Sequence, residues 1–331
     1  MRPFEYASPT MLGQAVSLLA SPGSAPLAGG SDLLGLMKDQ VETPSRLVNL
    51  KDILEPRDLR GIRLDRQAGL VIGALVTIDE LAADPALRFD YAALADAAGR
   101  VAGPQIRNVA TVGGNLCQRP RCWYFRNGFG LLPLRDGKSM VTEGDNRYHA
   151  IFGDGGNEGA AAFVTPSTIA PLLAALGTQV TIAGLKGERK VDLESFYRVP
   201  QPGEREHDLG PGEIVTSITV APAAGRRLAS YEVRQRETLD WSLATASVAL
   251  QMDGPRVAKA SVVLGQVAPI PWRSKEAEAV LQGQTLDRAL ARKAGEAAVS
   301  GAKPLSRNRY KVQLARVAVQ RALLAAAGME A

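Results

Sequence analysis

Cysteine, histidine and aromatic side chains are scarce in this chain, and each scarcity closes off a class of function. Two cysteines, Cys117 and Cys122, occur in 331 residues. They are too few for the disulfide framework of a secreted domain, and their spacing is not the C-x-x-C of a redox or zinc motif, so a reducing compartment is expected. The two histidines, His149 and His207, are isolated and supply no ligand pattern, so no metal site is predicted. Aromatics make up 5% of the chain, and the Lys and Arg behind its net charge of +5 are spread along the sequence, which argues against nucleic-acid binding. No stretch approaches the ~18 uninterrupted apolar residues of a membrane span. Met1-Arg2-Pro3-Phe4-Glu5-Tyr6 places a proline and an acid where a signal peptide would begin its apolar run.

What is present is apolar bulk: at 46% hydrophobic the chain can bury a substantial core, and its length favours two domains. Ser8-Pro9 reads as the N-cap and first turn of an amphipathic helix carrying Met11, Leu12, Ala15, Val16, Leu18 and Leu19. After Pro22-Gly23 a short strand at 25–28 runs into Gly29-Gly30-Ser31-Asp32 and a helix at 33–37. Strands are expected at 46–50, 62–64 and 70–75, and Thr77-Ile78-Asp79-Glu80 is a capping box opening the next helix. A helix at about 91–101 leads through Gly103-Pro104 to a second glycine turn, Ala110-Thr111-Val112-Gly113-Gly114-Asn115-Leu116.

From 119 to 159 periodicity is weak, which marks an insertion or functional loop. Regular patterns return at 169–176, 179–183 and 214–220, and the turn-rich Pro222 to Gly225 places a domain boundary between 1–223 and 224–331. Beyond it, paired strands are expected at 242–251 and 258–264, with Ala-rich helices at 275–281, 286–299 and 311–327. The alternation of strands and helices reads as α+β or α/β.

The chemistry sits in the two glycine turns. A glycine pair between strand and helix lets the backbone approach a ligand and turns successive N–H groups outward, where they can bind pyrophosphate oxygens; Ser31 and Thr111 add hydroxyls. Two such turns together favour a dinucleotide, yet neither G-x-G-x-x-G nor G-x-x-x-x-G-K-[ST] is present, so neither a Rossmann nor a Walker cradle is supported and some other nucleotide or flavin cradle is needed. Carboxylate pairs such as Glu204 with Glu206, or Asp52 with Glu55, lie in polar stretches and form no recognisable catalytic constellation.

Ala28-Gly29-Gly30-Ser31-Asp32-Leu33, the second turn, Gly212-Glu213-Ile214-Val215, Arg236-Glu237-Thr238-Leu239-Asp240-Trp241 and Gly265-Gln266-Val267-Ala268-Pro269 together resemble the flavoprotein medium subunits of molybdenum hydroxylases, the xanthine dehydrogenase family. The blocks span the whole chain in family order. The resemblance implies an α+β fold: an FAD-binding domain of the vanillyl-alcohol-oxidase (PCMH) type with two subdomains, then a C-terminal antiparallel-sheet and helix domain. It implies FAD held by Leu27, Ala28, Gly29, Gly30, Ser31, Asp32 and Leu33 and by Ala110, Thr111, Gly113, Gly114, Asn115 and Leu116, with Val215 lining the flavin. Partners would be a molybdopterin-binding large subunit and a 2Fe-2S small subunit, and no catalytic residue of this chain is needed. A cytoplasmic location follows, or a periplasmic one if the complex is exported with a partner.

Three departures stand out. Thr168 replaces an aspartate that relatives place beside the flavin, and Glu232 replaces a lysine there, a charge reversal that disfavours anionic reduced flavin unless Arg234 or Arg236 compensates. The run from Asn115 to Arg126, with Asn146-Arg147-Tyr148-His149, resembles an aldehyde oxidoreductase-like subgroup that carries a 4Fe-4S cluster in its loop. With only Cys117 and Cys122 available, the cluster is predicted absent and its loop retained. Arg119, Arg121 and Arg126 of that loop are the expected docking surface for a partner. Against the electron-transfer reading stand a stand-alone flavin oxidase, which would need a base and often a covalent flavin link, and a structural subunit without flavin.

Overall fold

Parallel strands cannot be joined by a tight turn, and the first part of the chain meets that constraint with two short crossover helices. β1 (Glu5–Ala7), β2 (Ser24–Leu27) and β3 (Arg46–Asn49) form a parallel sheet in the order β1-β3-β2. Helix Leu12–Leu19 connects the first pair and helix Leu33–Lys38 the second. The structure is a computed structural model that describes residues 1–330 apart from 66, 68, 154–159, 224, 237 and 238, with the side chain of Arg57 also undescribed. Helix Leu12–Leu19 buries Ala15, Val16 and Leu19 in one cluster with Val48, Leu50 and Ile53. It begins four residues after Ser8, without a side-chain cap; the Ser8 hydroxyl instead donates to Asp52 at 2.8 Å, a tertiary bond that outcompetes the local cap.

β4 (Ile62–Asp65) and β5 (Gly69–Gly73) open a second, antiparallel sheet. After a small hairpin of β6 (Leu134–Arg135) and β7 (Lys138–Ser139), it is completed by β8 (Gln179–Gly184), β9 (Gly187–Asp192) and β10 (Ile214–Val220) in the order β4-β5-β10-β8-β9. The capping box forms as the sequence predicts: the Thr77 side chain accepts from Glu80 N and the Glu80 carboxylate from Thr77 N. Edge strand β9 reads Gly-Glu-Arg-Lys-Val-Asp and has no apolar face to betray it in sequence.

β11 (Arg226–Val233), β12 (Ala244–Asp253), β13 (Arg256–Gly265) and the two-residue β14 (Trp272–Arg273) form a third, antiparallel sheet in sequential order. Helices Lys275–Leu281, Arg288–Ala298 and Tyr310–Ala326 share a buried core with one face of it. The other face meets helix Ala170–Leu176, every residue of which is buried because it lies between this sheet and the core of the second one. The loop from 119 onward carries helices Trp123–Arg126 and Met140–Glu143 and docks on the C-terminal part. Asn308 Nδ2 donates to the carbonyls of His149 and Ala150, and Arg307 N to Asn146 Oδ1. The part of this loop at 154–159, and Glu237 and Thr238 of the fourth sequence block, lie outside the described residues.

Candidate functional site

The two glycine turns meet backbone to backbone. A Cβ built on Gly29 would lie 2.1 Å from the Val109 carbonyl oxygen and 2.9 Å from Ala110 Cα, so only glycine permits this approach. Gly30, at φ +70, turns the chain through the left-handed region before helix Leu33–Lys38. Among the described residues, the N–H groups of Gly29, Gly30, Ser31 and Asp32 form no hydrogen bond, which leaves a run of donors at the start of that helix.

The second turn differs from expectation on this point. Its N–H groups from Val112 to Asn115 are spent: Val112 on Val76 O at 2.8 Å, Gly113 on Ala74 O at 2.9 Å, Gly114 on the Thr111 hydroxyl at 3.1 Å and Asn115 on Thr111 O at 2.7 Å. Of the pair, the first turn is the one with a run of free donors, and the second, bonded from Val112 to Asn115, is the brace that positions it. Leu27, Ala28 and Leu33 are half-buried around the first turn, Ser31 is exposed, and Ala110, Leu116 and Val215 share the core of the second sheet.

A buried polar chain ties the second turn to the C-terminal helix, and the sequence reading missed most of it. Ser167 Oγ donates to Asn115 Oδ1 at 2.6 Å, Gln266 Nε2 to Ser167 O at 3.1 Å, and Lys311 Nζ to Gln266 O at 2.6 Å. Ser167 is fully buried beside Thr168, itself buried. The signals available were Asn115 in the second turn and Gln266 in the Gly265–Pro269 block; nothing local marked Ser167 or Lys311.

Glu232 is buried on β11, its Oε2 held by Arg234 at 2.8 Å and by the Ser242 hydroxyl. The charge reversal read from sequence is therefore compensated by Arg234, while Arg236 is exposed. Glu232 Oε1 and the hydroxyl of its cross-strand neighbour Thr245 are both buried without a hydrogen-bond partner among the described residues. Around the glycine turns the surface is unusually apolar, with Leu34, Ile106, Val109, Leu239 and Trp241 all exposed.

The expected docking surface is not free. Arg119 pairs with Glu42 and Glu206, while Arg121 and Arg126 pair with Asp32 at 3.0 and 2.7 Å; the Arg119 and Arg126 side chains keep 12% and 15% exposure. These arginines are internal struts, because nearby carboxylates satisfy them more cheaply than water or a partner could.

The cysteines are poor nucleophiles. Burial pushes the Cys117 thiol up to about 12 and raises that of Cys122, which lies 3.1 Å from His149 Nε2. A covalent flavin link through Cys117 is disfavoured on that ground. Among the described residues no three His, Cys, Asp or Glu converge as metal ligands.

Burial also pulls His149 and His207 down to about 4. The unfolded chain then binds protons between about pH 6.5 and 4 that the folded chain refuses, so stability falls as pH falls through that window. The cost is up to about 3 kcal/mol per histidine. Urea midpoints measured across it should decline in the wild type, with a shallower decline in His149→Gln; equal slopes would refute the assignment.

Residues 2–223 match the family described as the FAD binding domain in molybdopterin dehydrogenase, and residues 229–326 match the CO dehydrogenase flavoprotein C-terminal domain. The chain belongs to this flavoprotein family. It is 34% identical over 314 residues to the aldehyde oxidoreductase FAD-binding subunit PaoB of Escherichia coli, covering 91% of each chain. Identity to the carbon monoxide dehydrogenase medium chain of Afipia carboxidovorans is 31%, over 97% of this chain and 95% of the relative. In structure it superposes with a TM-score of 0.76 and 28% identity on a chain of the carbon monoxide dehydrogenase from Hydrogenophaga pseudoflava that lacks the Mo-pyranopterin moiety, covering 100% and 99% of the two chains.

The flavoprotein's own residues fit FAD. The free N–H run from Gly29 to Asp32 suits a pyrophosphate, the unpartnered Glu232 Oε1 and Thr245 hydroxyl suit the polar edge of a ring, and the exposed apolar side chains suit its face.

Proposed function

We propose that this flavoprotein is the FAD-bearing electron-transfer subunit of a heteromeric molybdenum hydroxylase. It would accept electrons from iron-sulfur clusters of a partner and pass them to an external acceptor. The observation that carries the reading is the free donor run at Gly29–Asp32, braced by a second turn whose N–H groups from Val112 to Asn115 are occupied. When bound, FAD supplies the electron store and the hydride chemistry.

The chain's residues bind and orient. The N–H groups of Gly29, Gly30, Ser31 and Asp32 take the pyrophosphate, with Leu27, Ala28 and Leu33 shaping the turn. Ala110, Thr111, Gly113, Gly114, Asn115 and Leu116 hold it in place. Thr168, Val215 and Glu232 line the flavin region, where the Glu232–Arg234 pair leaves the local charge near neutral. The proposed division is an FAD domain at 1–223 and a C-terminal domain at 224–331.

The relatives named as aldehyde oxidoreductase and carbon monoxide dehydrogenase subunits support partnership with a molybdopterin-binding large subunit and a 2Fe-2S small subunit. No helix among the described residues is long and apolar enough to cross a membrane. A visible spectrum of the purified chain, followed by acid release of flavin and an iron assay, tests the proposal. The expected result is FAD at about one equivalent per chain without iron. Failure to take up FAD, even with partner chains present, would leave a structural role in its place.

A further inference from the structure

We infer that Asp32 is a positioning residue whose carboxylate clasps the loop after the second glycine turn onto the first turn, and so sets the shape of the FAD cradle. The inference rests on the FAD reading above. Asp32 Oδ2 accepts from the Arg119 backbone N–H at 2.7 Å and Oδ1 from Arg126 Nη2 at 2.7 Å, and Oδ1 also forms an ion pair with Arg121 Nη2 at 3.0 Å. All three partners belong to the segment that follows Leu116, so one side chain of the first turn reaches across to the continuation of the second.

The far side of the clasp is itself anchored. Arg119 pairs with Glu42 and the buried Glu206, and Arg126 also donates to the carbonyls of Pro120 and Arg119. Arg121 stacks on Trp241 at 4.6 Å, which extends the contact to the C-terminal half. Asp32 is thus the junction of three segments that surround the donor run, and its own N–H is one of those donors.

The electrostatic sign separates this role from direct contact. A carboxylate facing a pyrophosphate would repel it, so neutralising Asp32 would tighten FAD binding. A carboxylate that holds two guanidiniums beside the cradle, leaving the group net positive, does the reverse: neutralising it frees the loop and loosens FAD.

Asp32→Asn, Arg126→Gln and the double variant of the full chain decide the matter. FAD affinity would be read by flavin fluorescence quenching on the apo-chain, and amide exchange over 27–33 and 117–126 without cofactor. Each single change is expected to raise the Kd for FAD about tenfold or more, with the double little worse than Asp32→Asn alone because the Arg126 contact is among those that Asp32→Asn already weakens. Exchange in both segments should quicken together, while the urea midpoint of the apo-chain moves little.

Tighter FAD binding, additive effects, or unchanged exchange over 117–126 in Asp32→Asn would overturn the clasp. So would an unchanged Kd with a lowered urea midpoint, which is the behaviour of a merely structural ion pair. If the wild-type chain takes up no FAD, the proposed function fails and the exchange arm alone decides the clasp. Arg126→Gln supplies the same readouts should Asp32→Asn not fold.

Discussion

Gly29→Ala is expected to strip the chain of flavin while leaving most of the fold intact. The new methyl group would stand 2.1 Å from the Val109 oxygen and 2.7 Å from its carbonyl carbon, both backbone atoms that cannot rotate aside. Nor can the second turn retreat, since Ile78 N–H holds Ala110 O at 2.8 Å and Val112 and Gly113 are bonded to Val76 and Ala74. The first turn must therefore move, carrying its donor run with it. Overpacking of this kind costs about 1–3 kcal/mol of stability, and loss of several donors to a pyrophosphate weakens binding on the order of a hundredfold or more. Flavin retained per chain after gel filtration is the measurement. Gly35→Ala is the control: a Cβ there meets nothing within 4 Å, so it should keep its flavin. Wild-type flavin content in Gly29→Ala would show that the meeting of the turns does not shape the site.

Lys311→Met should destabilise the chain by about 2 kcal/mol or more at pH 9, where the folded amine is neutral, because each buried acceptor left without its donor costs about 1–3. Lys311 is 1% exposed, and its Nζ donates to the carbonyls of Tyr148, His149 and Gln266 at 3.3, 3.1 and 2.6 Å. Methionine fills the volume but leaves these acceptors without their donor. It also loosens Gln266, held at φ +56, and through Ser167 it loosens Asn115 of the second turn, so FAD affinity should fall along with stability.

Lys311 also predicts a pH dependence. Burial lowers its pKa to about 7 from the ordinary 10.5. Between those values the unfolded chain holds a proton that the folded chain has released, so stability rises with pH across the window, and the burden of the buried charge is complete below it. Urea midpoints should climb from about pH 7 to about pH 10 in the wild type and lose that rise in Lys311→Met. A parallel climb in both proteins would place the titration elsewhere.

Much of the fold was legible because it is written in local patterns. The Thr77 capping box, the glycine turns and the C-terminal Ala-rich helices all depend on neighbours within a turn or two. β9 and β11 escaped notice because edge-strand or interface residues such as Glu188, Arg189, Arg226 and Arg227 carry no clean alternation. Ser8 misled for the opposite reason: a good N-cap by local rules, it is claimed by Asp52, 44 residues away.

The sequence by itself determined the two glycine turns and the shortage of cysteine ligands, which follow from residue identity and spacing along one segment, and the resemblance of blocks along the whole chain gave the family and with it the α+β fold class. Only the tertiary structure decided that the first turn keeps a run of free donors while the second spends those from Val112 to Asn115, and that the loop arginines pair with Asp32, Glu42 and Glu206. It also decided that Glu232 is neutralised by Arg234 and that Lys311 braces the cradle from the far end of the chain. These depend on hydrogen-bond partners up to 163 residues apart, and which donor finds which acceptor is settled by packing rather than by local pattern.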